Sequence, residues 1–139
     1  MGWTSALAAS GLAATAPAVV EAAIDLSYLA RFTLGNASLE REVLELFAAQ
    51  APLYLARLRT AATPADWQLA AHTIKGAAAA VGARHLQRFA ELAERVDAAA
   101  ADRQAERASA LEAIGEATEA ACRQIQEMFG DQRLTAQRA

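Results

Sequence analysis

The chain has 139 residues, enough for one domain with a real core and too few for two ordinary ones. Forty are alanine, the best helix former, while aromatics make up 6% and glycine and proline only seven and three. That excludes a collagen-like, low-complexity or disordered chain and favours an all-α fold. Thirteen basic against sixteen acidic residues leave −3, with Arg and Glu interspersed, so no basic face is available to displace counterions from DNA or RNA.

Residues 2–20 carry no charge. They lack the basic start of a signal peptide and are too rich in Ala, Ser, Thr and Gly for a membrane span. Residues 1–20 are expected to form a weakly ordered or locally helical leader, and no membrane insertion is expected. Asp25 caps a short helix running to about Leu34, with Leu26, Leu29 and Phe32 as its apolar positions and Gly35 as its stop. Asn36 or Ser38 starts a long helix. Its stripe of Leu39, Val43, Leu46, Phe47, Tyr54 and Leu58 recurs every three or four residues, and Pro52 kinks or splits it. Thr63-Pro64-Ala65-Asp66 is the clearest start signal, with Thr63 as cap and Pro64 in the first helical position.

That third helix should reach Val81 and stop at Gly82, burying Trp67, Ala71, Ile74, Ala78 and Val81. A fourth is expected over Arg84–Ala99, with Leu86, Phe89, Ala93 and Val96 inward. The last should span Asp102 to Phe129, with Gly115 as a weak point and Gly130 as its end, leaving 131–139 as a frayed tail. Four substantial helices with short connections bury their stripes best as an antiparallel four-helix bundle, with the short N-terminal helix across one end. The domain is expected over 21–130.

The chemistry concentrates on the third bundle helix. At 100° per residue His72 lies about 160° from Ile74, so it faces outward. Lys75, the chain's one lysine, and Gly76 follow at +3 and +4 on the same face. A glycine inside a helix costs about 1 kcal/mol relative to alanine, and clearance for another protein's active site beside the imidazole would explain it. A neutral ring nitrogen can attack phosphorus, and the ammonium can offset charge on phosphoryl oxygens. Taken singly, each residue has a blander reading: a surface histidine, a solvated lysine, a packing glycine. His85 lacks a following Lys-Gly pair and is read as a rim residue.

The run His72-Thr73-Ile74-Lys75-Gly76-Ala77-Ala78-Ala79-Ala80-Val81-Gly82-Ala83 resembles the signature of the histidine phosphotransfer (HPt) domain family, H-x-[LI]-K-G-[SAG]-x-x-x-x-G-[ALF]. The likeness extends to Leu86 and Gln87 and to the helix order across 24–129. It implies that His72 is phosphorylated on Nε2 and exchanges its phosphoryl group with an aspartate of a response-regulator receiver domain. Many family members carry Ser or Thr after the Lys-Gly pair; Ala77 and Ala78 stand here, which leaves more of the phosphate contact to Lys75.

Twenty-two residues after the histidine the family often has Gln, or Glu in chemotaxis kinases, and Glu94 occupies that place. A carboxylate accepting from Nδ1–H would set the tautomer and free Nε2. Docking is expected over Gln68, Ala79, Gly82, Arg84, Gln87 and Arg88. Expected partners are receiver domains and a hybrid or other sensor histidine kinase, for a cytoplasmic monomer. The chain has no phosphate-binding glycine loop and no Asp-rich metal pocket of its own, so Mg²⁺ is expected on the receiver. The rival readings are a helical adaptor without chemistry, and a domain phosphorylated directly by a kinase.

Overall fold

The computed structural model describes residues 22–96 and 103–138. The expected 1–20 leader, and the boundaries expected at Ala99 and Asp102, lie outside them. Among the described residues there are five helices and no strand: α1 Leu26–Thr33, α2 Ala37–Arg59, α3 Pro64–Val81, α4 Arg84–Glu94 and α5 Gln104–Arg138. Packing is cyclic: α2 and α4 each contact both α3 and α5, closing an antiparallel four-helix bundle, while α1 lies against α2 and α3. None of these helices is long and apolar enough to cross a membrane.

The start signals work as capping chemistry predicts. Asp25 accepts from Tyr28 N–H, Asn36 from Leu39 N–H and Thr63 from Asp66 N–H, each satisfying a donor that the first turn leaves orphaned. The α3 stripe is buried as expected, Trp67, Ala71, Ile74, Ala78 and Val81 together with Ala70. Leu44, Phe47, Ala51, Leu55 and Leu58 face it from α2, Leu86, Ala90 and Ala93 from α4, and Ile114, Ala121, Ile125 and Phe129 from α5.

Several expectations are corrected. On α2, Leu39 and Leu46 are exposed, and the core takes Leu44, Ala51 and Leu55 instead. Two stripes at helical spacing exist on α2, and only the docking of α3 and α5 chooses between them. Pro52 neither splits nor ends α2, which continues to Arg59. Leu26 and Phe32 are exposed, leaving Leu29 and Thr33 to anchor α1. This helix ends at Thr33, with Leu34 and Gly35 both left-handed (φ 54° and 77°).

The fourth helix stops at Glu94, with Val96 half-buried beyond it. The fifth runs through Gly130 to Arg138, so the expected frayed tail is helical as far as that residue. A lone helix glycine costs about 1 kcal/mol, too little to end a helix that no proline follows.

Candidate functional site

Helix α3 turns one face inward and the other to solvent, and His72 stands on the outer face with 66% of its side chain exposed. Lys75 and Gly76 share that face. A Cβ built on Gly76 would meet nothing within 4 Å, so no packing among the described residues requires a glycine there. Gln68, one turn before His72, is exposed, and Ala79, two turns after it, is half-buried.

Glu94, the last residue of α4, joins His72 to Lys75. His72 Nδ1–H donates to Glu94 Oε2 at 3.3 Å, and Lys75 Nζ pairs with Glu94 Oε1 at 2.7 Å. An ionised carboxylate only accepts, so the imidazole nitrogen facing it carries the hydrogen. In the neutral ring the lone pair then belongs to Nε2. The Lys75 bond holds the Glu94 carboxyl below the usual carboxylate range; desolvation opposes this, and the His72 bond adds to it. Lys75, the residue expected to offset charge on phosphoryl oxygens, has its ammonium on Glu94 here, within one turn of the imidazole.

Trp67 sets the register that lets these groups meet. Its ring is fully buried, and its indole N–H donates to the carbonyl of Ala93, the residue before Glu94, at 2.8 Å. The bond reaches from α3, just over one turn before His72, to the last turn of α4. The Arg107 guanidinium covers the other side of the indole at 4.5 Å from the ring centroid and donates to the Ala61 carbonyl at 3.2 Å. Sequence reasoning placed Trp67 in the core but did not see its hydrogen bond. An indole donor in a core stripe is the signal that could have prompted the search for a buried acceptor.

The expected docking residues separate into two groups. Gln68, Ala79 and Gln87 lie with the histidine: on α4, Gln87 is two turns before Glu94 and about 20° from it around the helix. Gly82 does not belong there. It is buried, its carbonyl accepts from Asp25 N–H at 2.9 Å, and a Cβ on it would stand 2.9 Å from the Asp25 carbonyl oxygen. The segment leading into α1 seals it from any partner.

Arg84 is tied to the same joint, pairing with Asp25 at 2.9 Å and lying over the Tyr28 ring. Arg88 is exposed, about 120° around α4 from Glu94. An apolar residue missed by the sequence reading stands beside the imidazole: Leu69 is 66% exposed on the adjoining part of the α3 face. It lines a groove with Tyr54, Arg57, Thr60, Asp66 and Thr73.

The helical bundle thus presents a solvent-facing imidazole in contact with a carboxylate. The Hpt domain model matches residues 42–137, well over half of the chain. The chain belongs to the Hpt domain family, and so to two-component phosphotransfer. No curated protein matches the chain, and no solved structure does.

Proposed function

We propose that this domain is a phosphorelay intermediate that accepts and donates a phosphoryl group on Nε2 of His72, exchanging it with receiver-domain aspartates in the cytoplasm. The Nε2 lone pair attacks phosphorus of the aspartyl phosphate in line, the N–P bond forms, and the O–P bond breaks with the electron pair leaving on the aspartate carboxylate. The proton stays on Nδ1 throughout, donated to Glu94, and the carboxylate stabilises the positive charge that the ring acquires. Mg²⁺, where the receiver holds it, would supply charge neutralisation at the phosphoryl oxygens. The exposed face of Gln68, Leu69, Gly76 and Ala79 receives the partner, and Gln87 borders it.

The observation that carries this reading is the contact of His72 Nδ1 with Glu94 on an otherwise open imidazole. Incubation with a phosphorylated receiver should place an acid-labile, base-stable phosphate on the chain. His72→Gln should abolish it while far-UV helicity stays unchanged; transfer surviving that change would sink the assignment to His72, and a wild-type chain that takes no phosphate would leave the adaptor reading. Glu94, the residue type of chemotaxis kinases at this place, favours a second donor, the catalytic domain of a sensor kinase. ATP-dependent labelling of His72 by such a kinase, without a receiver present, distinguishes the two routes.

A further inference from the structure

The leucines that α2 withholds from the core are not scattered. Leu39, Leu46 and Leu53 are 40%, 60% and 55% exposed and stand seven residues apart. At 100° per residue they fall within about 40° of one another, on the side of α2 turned away from Leu44, Ala51, Leu55 and Leu58. Between them Val43 and Gln50, both half-buried, and the exposed Arg57 fill the intervening positions. The order Leu39-Val43-Leu46-Gln50-Leu53-Arg57 is an a/d heptad seam. It has a β-branched residue and then two polar ones at a, and leucine at every d. A seven-residue repeat of this kind suits a second helix, because it stays in line with a supercoiled neighbour. The bundle takes up part of Val43, which packs against the core, and leaves the three leucines in water.

We propose that the domain pairs with a second copy of itself through the outer face of α2, the two helices running antiparallel. Charge selects both the occupant and the direction. In the first half of α2, Glu45 pairs with Arg41 and Glu40 accepts from Thr33, which leaves Glu42 beside the seam; near the other end the seam carries Arg57. A parallel pair would set Arg57 against Arg57 and Gln50 against Gln50. The antiparallel pair layers a on d: Leu39 against the partner's Arg57, Val43 against the partner's Leu53, Leu46 against the partner's Gln50, and each again by symmetry. In that register the Arg57 stem covers a leucine and its guanidinium lies one turn from the partner's Glu42. The 23-residue helix is about 34 Å long, so six such layers fit along it. His72 projects from a different helix and stays open in both copies. The assembly is a two-headed carrier in place of the expected monomer.

Sedimentation equilibrium of the full chain from about 1 µM to 500 µM should show mass rising toward that of a dimer. Leu46→Glu should hold the monomer mass at every concentration while keeping its far-UV helicity. Glu42→Arg and Arg57→Glu should each weaken association at least tenfold, and the two combined should restore it. That rescue also tests the pairing should Leu46→Glu fail to fold. A monomer throughout the range overturns the proposal, and so does a dimer indifferent to Leu46→Glu or to both charge reversals. None of these outcomes depends on phosphotransfer, so failure here leaves the role of His72 standing.

Discussion

Two glycines six residues apart, Gly76 and Gly82, mark two opposite uses of an absent side chain. At Gly82 the backbone is left-handed (φ 76°), and a Cβ would collide with the Asp25 carbonyl oxygen at 2.9 Å. The residue lets α3 end, α4 begin and the lead-in to α1 cross, all within one joint. At Gly76 the backbone is ordinary helix and nothing lies within 4 Å. The first glycine is explained inside the molecule. The second has no such explanation among the described residues, and it sits one turn from the imidazole. Conformation and clearance separate a packing glycine from an open one where residue type cannot.

Substitution should separate the two sites in sign. Gly82→Ala forces an L-residue into the left-handed region and against a carbonyl. It should cost about 2 kcal/mol or more of stability, measured by urea unfolding, while protein that remains folded still transfers phosphate. Gly76→Ala should instead stabilise by about 0.5–1 kcal/mol. Gly76→Phe should leave the midpoint close to wild type and slow transfer from a receiver at least tenfold. If Gly76→Phe melts the bundle, the distinction between the two positions fails.

The smallest effect is expected at Glu94, and it depends on pH. Its folded-state pKa lies below the ordinary value of 4.5, with the Lys75 bond as the main cause. Its stabilising contribution is therefore complete above that ordinary value and is lost as pH falls through the lowered one. Stability measured down the acid limb should fall less steeply in Glu94→Gln. The ¹⁵N shifts of the His72 ring in that variant should report a less exclusive Nδ1–H tautomer. An unchanged acid limb and an unchanged tautomer would together show that the carboxylate does not orient the ring.

The legible parts of the chain were those in which a local rule acts alone. Thr63-Pro64-Ala65-Asp66 starts α3 because capping involves only neighbours in sequence, and the α3 core stripe follows from a single, unambiguous period. The outward placement of His72, Lys75 and Gly76 is the complement of that stripe. Reading failed where two faces competed. On α2, Leu39 and Leu46 are as apolar as Leu44 and Leu55, and periodicity cannot say which set other helices will cover. Gly82 stops α3 as expected, but its place in the docking face and the stop expected at Gly130 did not hold: a glycine in sequence does not show whether it is a joint, a passing helical residue or an opening.

Sequence by itself determined an all-helical chain, the starts of its helices, and one outward-facing His-Lys-Gly constellation, because helix propensity, capping and a 3.6-residue period are local. Tertiary structure alone decided that Glu94 meets both His72 and Lys75, that Trp67 holds the helices in the register for it, and which leucines of α2 remain in water. Those outcomes depend on how separate helices lie against one another, and the spacing within any single helix carries no record of that.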